Sequence, residues 1–307
     1  MSSVLSIRNI SKSYGPVRAL QNVSFEVPRG SVFGILGPNG SGKTTLLGIV
    51  MDILKPSSGS YLWNGQPGSN EMRKQIGTLL ETPNFYHYLS GQKNLEIAAA
   101  IKEKGKEDIP HVLEKVNLTQ RRKSRFSTYS LGMKQRLAIA STLLGNPDIL
   151  VFDEPTNGLD PAGIAEIRDM MKDLNRQGKT IIMASHILDE VEKVCTHVAI
   201  IQKGDLKTVG TVSDVLSTGG DGNLTTVEIE VGAEDLVQLE SVLREMPGML
   251  HIHNGGASLL IEGEKAVNPE AVNKYCFEKG IVLNQINLRK KSLERRFLEI
   301  TGGKSDR

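Results

Sequence analysis

The first two thirds of the chain contain two kinds of apolar segment. Residues 4–10 and 17–29 alternate apolar with polar side chains, which is typical of antiparallel strands with one covered face. Four further segments are almost continuously apolar, as in buried parallel strands covered by helices on both faces: 31–36, 148–152, 180–184 and 197–202. A helical pattern beginning at Asp160-Pro161 and ending at Gly178 separates two of them. We therefore expect a doubly wound α/β core, with its chemistry at the carboxyl ends of the strands.

The pattern changes twice along the chain. Between about 86 and 145 it becomes helical and more charged, which predicts a helical insert in the core. The turn-forming run 217–222 then marks a domain boundary, so we expect one domain over 1–216 and a second over 217–307. The second domain shows the order βαββαβ and then a short helix, which suits a small α+β ferredoxin-like module.

A glycine-rich run joins the first buried strand to an apolar helix. This order of strand, loop and helix is what a phosphate-binding loop requires, and as a bare pattern it could also be a flexible turn. Lys43 would reach the β- and γ-phosphates, and the Thr44 hydroxyl would bind Mg²⁺. The predicted ATP-binding residues of this run are Gly37, Pro38, Asn39, Gly40, Ser41, Gly42, Lys43, Thr44 and Thr45.

Two adjacent carboxylates end the second buried strand. Asp153 and Glu154 follow four apolar residues, so a solvated acidic pair is a poor alternative. Because neighbours on a strand point to opposite sides, the two side chains are expected to do different work. We assign Asp153 to magnesium and Glu154, as the catalytic residue, to the attacking water.

A third element is the helix start at Tyr129-Ser130-Leu131-Gly132. Ser130 is a good N-cap residue and Gly132 permits close approach of a ligand, so this is a second place where an anion could bind. Taken alone, the segment would be an ordinary capped helix.

Together these elements resemble the nucleotide-binding subunit of an ATP-binding cassette (ABC) transporter, over roughly residues 4–216. The resemblance rests on five motifs in order: 37–44, the signature 129–136, 148–154, 157–160 and His186. It implies an α/β phosphate-loop ATPase core with an antiparallel β subdomain and a helical insert. The cofactors implied are ATP and Mg²⁺.

The resemblance also implies roles for particular residues. Tyr14 would stack on adenine, and His186 would be a catalytic switch residue that contacts the γ-phosphate and the water of Glu154. Asn157 and Asp160 would form a dimer loop. Each ATP would be held between the phosphate loop of one subunit and Ser130 and Gly132 of a second.

Two positions depart from the pattern of most of the family. Leu131 and Met133 stand in the signature where glycine and glutamine are usual, although Ser130 and Gly132 are kept. Glu81 replaces the usual glutamine of its loop and is predicted as a metal ligand, with a plain solvated loop residue as the alternative. In carrying glutamate in that loop, the chain resembles the bacitracin and lantibiotic self-protection exporters. We therefore expect it to be similar to the multidrug, bacitracin and lantibiotic exporter branch of the family.

Composition narrows the possible partners. The 307 residues are 39% hydrophobic with a formal charge of +2, so no strong field favours nucleic acid, and we expect no nucleic-acid partner. No segment approaches the roughly 18 apolar residues that a membrane span needs. Cys195 and Cys276 match no metal or disulfide spacing. We expect a cytoplasmic protein that is peripheral at the cell membrane through a separate permease.

The predicted function is therefore ATP binding and hydrolysis that powers a transmembrane permease. The working unit would be a homodimer of this chain or a dimer of this chain with a close relative. The resemblance favours export of a drug, an antimicrobial peptide or a similar amphiphile. Two alternatives stay open: a soluble ABC ATPase without a transport role, and a transport ATPase gated by a ligand of the C-terminal domain. Phe85, Tyr86 and Tyr88 would dock the permease or pack beneath the insert.

Overall fold

A computed structural model describes residues 2–80, 84–217, 226–264, 266–289 and 292–301. The first compact unit runs to Val212 and takes in Ile300 and Thr301, and the second is Ser213–Glu299. The strands are β1 (Ser3–Tyr14), β2 (Val17–Pro28), β3 (Val32–Leu36), β4 (Ser58–Trp63), β5 (Gln66–Pro67), β6 (Ile76–Leu79), β7 (Ile149–Asp153), β8 (Thr180–Ser185), β9 (His197–Gln202), β10 (Asp205–Thr211), β11 (Thr226–Ala233), β12 (Met249–Asn254), β13 (Leu259–Glu264) and β14 (Leu283–Arg289). The helices are α1 (Lys43–Val50), α2 (Asn70–Lys74), α3 (Gly91–Lys102), α4 (Ile109–Lys115), α5 (Leu131–Leu143), α6 (Pro161–Arg176), α7 (Leu188–Val194), α8 (Val212–Ser217), α9 (Leu236–Arg244), α10 (Pro269–Glu278) and α11 (Leu293–Thr301).

A six-stranded sheet in the order β10-β9-β3-β8-β7-β6 forms the centre of the first unit. All its pairings are parallel except that of β10 with β9. The four continuously apolar segments are its central strands, and β3, β7 and β8 are buried at every position. The edge strands β6 and β10 were not predicted, because β6 is only four residues long and β10 is partly exposed.

Helix α6 illustrates how local sequence fixes this core. The Asp160 side chain accepts a hydrogen bond from the Gly163 N–H at 2.9 Å, and Pro161 takes the first helical position. Ile167, Met171 and Leu174 lie on one buried face of the helix. Burial of each such side chain contributes about 1.5–3 kcal/mol, so this face holds the helix against the sheet.

An antiparallel sheet, β2-β1-β4-β5, forms the other layer of the first unit. Its alternating apolar side chains share one buried cluster with residues of β3 and α1. In that cluster the ring of Phe25, from β2, stacks on the ring of Phe33, from β3, at 5.3 Å between centroids. The insert contains α3, α4 and α5, which pack on one another. The first unit therefore has the predicted core, antiparallel subdomain and helical insert.

The second unit has the element order βαββαβ followed by α11. Its antiparallel sheet has the order β12-β13-β11-β14, and α9 and α10 carry buried side chains into its core. Cys276 lies in that core, whereas Cys195 is buried in the first unit. Apart from α8 at its start, which was not predicted, the strands and helices of this unit follow the order expected from the sequence.

Candidate nucleotide site

The phosphate loop lies between β3 and α1. Gly40 and Gly42 have φ angles of +77° and +109°, a region that favours glycine. A Cβ atom at Gly42 would lie 2.5 Å from the Ala19 carbonyl oxygen, so glycine is also required there by close packing. Gly42 begins α1 without a side-chain cap, which leaves the first N–H groups of the helix available to phosphate oxygens.

Lys43, the first residue of α1, is buried at the base of this loop. Its Nζ donates to the carbonyl oxygens of Gly37 at 2.8 Å and Pro38 at 3.2 Å. Glu154 Oε1 lies 3.7 Å from the same Nζ. Burial lowers the pKa of Lys43 from its ordinary value, and the nearby carboxylates of Glu154 and Asp153 oppose that shift. Because the Lys43 ammonium group is already buried, binding a phosphate there would cost little further desolvation of the lysine.

The two adjacent acidic residues differ in backbone conformation. Asp153 ends β7 and is 3% exposed, whereas Glu154 adopts a left-handed conformation with φ of +49°. The Glu154 N–H donates to the Ala184 carbonyl at 3.0 Å. Because β7 ends at Asp153, strand alternation does not apply to Glu154, and the left-handed backbone sets the course of the chain there instead. A non-glycine residue in this conformation costs about 1–3 kcal/mol and is often found at functional sites.

His186 completes a contiguous group with these residues. It follows the end of β8, and its Nδ1 lies 2.9 Å from Glu154 Oε2. The carboxylate of Glu154 thus contacts Lys43 through one oxygen and His186 through the other. Such a group can hold a water molecule beside a phosphate and accept its proton.

A magnesium ion fits the donors at this place. Thr44 is exposed on the first turn of α1. The Asp153 carboxylate lies close enough to Lys43 to oppose the lowering of the Lys43 pKa by burial. Hydroxyl and carboxylate oxygens together with phosphate are the ligands that Mg²⁺ prefers. Glu81, the third predicted ligand, lies outside the described residues.

The signature residues lie in a different place, in a cleft with the predicted dimer loop. Ser130 caps α5 and accepts from the Met133 N–H at 3.3 Å. The cleft is lined by Ser130 and Gly132 from one side and by Gly158 and Asp160 from the other. Leu131, which replaces a family glycine, is 52% exposed, and a Cβ atom at Gly158 would lie 3.1 Å from its Cδ2. This cleft is open at the surface of the unit.

Two other predicted residues have clear positions. Tyr14 ends β1, is 46% exposed, and has Lys12 Nζ 4.9 Å from its ring centroid. The hairpin that it begins continues into β2, whose Ala19 packs on Gly42 of the phosphate loop. Asn157 is exposed, and its N–H donates to the Glu154 carbonyl at 3.1 Å.

Comparisons with known proteins identify the family. A model of the ABC transporter family matches residues 20–157. The uncharacterized ABC transporter ATP-binding protein YhcH of Bacillus subtilis is 39% identical, over 98% of this chain and 97% of that protein. The bacitracin transport ATP-binding protein BcrA of Enterococcus faecalis is 31% identical, over 99% and 98%. A dimeric cassette MJ0796 with ADP and Pi is 25% identical with a TM-score of 0.62, over 68% of this chain and 98% of that one.

This chain belongs to the ABC transporter ATP-binding proteins. The resemblance drawn from the five motifs, the exporter branch, the fold class of the ATPase core and the ATPase activity are thereby confirmed. ATP-binding subunits of this family dimerise and work with a transmembrane partner. Among the described residues, no helix is long and apolar enough to cross a bilayer.

One residue near this site was not predicted from the sequence. Gln135 of the signature helix α5 is 7% exposed, and its Nε2 donates to the Pro155 carbonyl at 2.8 Å. It thus joins the signature helix to the turn that carries Glu154. Its signal in the sequence is a polar residue at an inward position of an otherwise apolar helix face, beside Leu137, Ala138 and Ile139.

Proposed function

We propose that this ABC protein powers the export of a bacitracin-like amphiphilic peptide. The observation that carries the proposal is the match to BcrA, which extends over both units of the chain rather than the ATPase unit alone. The same full-length match favours a transport role over a soluble ATPase without one.

The proposal is tested by expressing the chain with the membrane protein that co-purifies with it, in bacitracin-sensitive cells. The minimal inhibitory concentration of bacitracin is expected to rise, and the rise should disappear with Glu154→Gln. An unchanged minimal inhibitory concentration with an active ATPase would contradict the choice of cargo.

The roles of the site residues follow from their positions. The phosphate loop, Gly37–Thr45, would bind the triphosphate through its backbone N–H groups, with Lys43 at the β- and γ-phosphates and Tyr14 at the adenine. Glu154 would hold the attacking water, and His186 would orient that carboxylate through their 2.9 Å contact. Thr44 and Asp153 would hold Mg²⁺, which supplies neutralisation of phosphate charge. Glu81 stays a predicted ligand.

The open cleft supports a homodimer as the working unit. Ser130 and Gly132 lie at an exposed helix start and line one cleft with Gly158 and Asp160, whereas Glu154 contacts both Lys43 and His186. The binding site for the γ-phosphate held by one copy would therefore be completed by the signature residues of a second copy. Asn157 and Asp160 would lie at the interface between the two. ATP would favour the closed dimer, and loss of the γ-phosphate would favour opening.

The aromatic segment before α3 supports both interpretations made from the sequence. The Phe85 ring packs edge-on against Phe126 at 5.3 Å between centroids, so it belongs beneath the insert. Tyr86 and Tyr88 are 50% and 69% exposed, and they form an edge-to-face pair of their own. These two rings would dock the permease, which would hold the protein peripherally at the cytoplasmic face of the cell membrane.

The second unit would dimerise or stabilise the assembly. It has its own apolar core, including Ile229, Val231 and Ile261, as expected of a module that folds around its own sheet. If removal of residues 217–307 left dimerisation and ATPase activity unchanged, this role would have to be abandoned.

A further inference from the structure

The signature helix makes a direct contact with the turn of the catalytic carboxylate. Ser130 and Gly132 begin α5 at the surface, and Gln135 lies just over one turn further along on the inner side. The Gln135 amide donates to the carbonyl of Pro155, the residue that follows Glu154, at 2.8 Å. A displacement of the helix start is therefore transmitted to that turn through one hydrogen bond.

The receiving turn needs such support. Glu154 has a φ of +49°, which non-glycine residues adopt only when their surroundings impose it. Two backbone hydrogen bonds hold it, from the Glu154 N–H to the Ala184 carbonyl and from the Asn157 N–H to the Glu154 carbonyl. The Gln135 amide is a third restraint, and unlike the other two it comes from the helical insert.

We propose that Gln135 is a positioning residue that couples the two nucleotide sites of the dimer. This inference rests on the proposed function, in which Ser130 of one copy contacts the nucleotide bound by the other. Occupancy of the partner's phosphate loop fixes the start of α5. Gln135 then fixes the turn on which Glu154 meets the nucleotide of its own copy, so that each site becomes competent when the other is filled.

The coupling predicts a split between turnover and binding. The Gln135 amide bonds to Pro155, in the turn of the catalytic carboxylate, so its loss should lower kcat while leaving ATP affinity nearly unchanged. Because Gln135 is the link between sites, its loss should also bring the Hill coefficient for ATP close to 1.

The test compares three variants of the full chain. Gln135→Met keeps the volume and removes the donor, and Gln135→Glu keeps the shape but donates only when protonated. Thr142→Val is the matched control, because Thr142 is also buried on α5 but its hydroxyl donates within the helix, to the Ile139 carbonyl. ATP hydrolysis is measured against ATP concentration, and ATP affinity is measured separately in a Glu154→Gln background. Thermal denaturation confirms that each variant is folded.

We expect Gln135→Met to lower kcat about 10-fold or more, a barrier change of the size a misplaced catalytic group gives, with ATP affinity within about twofold. Burial beside a carbonyl should raise the pKa of the carboxyl in Gln135→Glu, so its kcat should recover relative to Gln135→Met between about pH 8 and pH 6. Thr142→Val should resemble the unmodified protein in kcat and Hill coefficient.

Three results would overturn the proposal. They are an unchanged kcat and Hill coefficient in Gln135→Met, a fall in kcat matched by the fall in ATP affinity, and an equal loss in Thr142→Val. Failure of the proposed function is seen differently, as full turnover in Glu154→Gln or a Hill coefficient of 1 in the unmodified protein, and either would remove the coupling as well.

Discussion

The phosphate-loop side and the signature side of the nucleotide site are built to different degrees. On the phosphate-loop side, Glu154 already contacts both Lys43 and His186, and Lys43 is buried. On the signature side, Ser130 lies at an exposed helix start in an open cleft. The phosphate-loop side is preorganised within a single chain, and the signature side is exposed to solvent, where a second molecule can bind. The comparison teaches that folding alone assembles the group of Lys43, Glu154 and His186, whereas in the proposed function a second subunit would complete the site.

The largest effect should come from the preorganised side. Glu154→Gln removes the base but keeps the shape, so kcat should fall by about 100-fold or more, the usual contribution of a general base. ATP binding should persist, and ATP-bound dimers should accumulate because the γ-phosphate is retained. Steady-state hydrolysis and sedimentation velocity with ATP measure the two effects.

The control for this change is Glu103→Gln. Glu103 is also paired with a lysine, Lys74, at 2.7 Å, but it lies on the exposed surface beyond α3. Turnover of the Glu103→Gln variant should stay within about twofold of that of the unmodified protein, as for surface substitutions generally. Full turnover in Glu154→Gln would show that the contacts around that carboxylate are structural only.

A smaller effect is expected for His186→Ala. It removes the 2.9 Å partner of Glu154 without removing the carboxylate, so kcat should fall about 10- to 100-fold through misplacement of the base. His111→Ala, at an exposed histidine of α4, is the matched control and should be silent. Equal rates for the two variants in a stopped-flow phosphate-release assay would contradict the orienting role.

The smallest effect on turnover is expected at the far end of the signature helix, where the prediction concerns stability instead. Lys102 Nζ donates to the carbonyls of Ser141 and Thr142 at 3.0 and 3.1 Å, and burial lowers its pKa to about 8. Between about pH 8 and 10.5 the unfolded chain binds more protons at this lysine, so the free energy of unfolding should rise with pH in that window. The rise is at most on the order of 3 kcal/mol.

Urea denaturation at a series of pH values measures this rise. Lys102→Met should abolish it, whereas Lys93→Met, at an exposed lysine of α3, should keep it. A Lys102→Met profile that kept the rise would mean that other groups cause it, and that the base of α5 is not held by this lysine.

The sequence predicted the preorganised side better than the connections between elements. The phosphate loop, the strand end at Asp153 and the cap at Ser130 depend on residues close together in the chain, so local rules locate them. The left-handed turn at Glu154 could not be predicted, because it depends on a hydrogen bond to Ala184 of another strand. The Gln135 contact likewise joins residues 20 positions apart.

The signature side shows the same limit. The exchange of glycine for Leu131 was visible in the sequence, but the approach of its side chain to Gly158 requires α5 and the dimer loop to lie side by side. Long-range packing of this kind has no signature in a single sequence, since it is decided by the fold as a whole.

The central claim is that a second copy completes the site, and a mixing experiment tests it most directly. Lys43→Met disables a phosphate loop and Ser130→Arg blocks a signature, both in a Glu154→Gln background that retains ATP. If each site uses the loop of one copy and the signature of the other, a mixed dimer places both defects in one site and leaves the second intact. The account predicts that neither variant dimerises with ATP and Mg²⁺ when alone, and that the mixture does so in sedimentation velocity. A mixture that stays monomeric, while the Glu154→Gln parent dimerises, would contradict it.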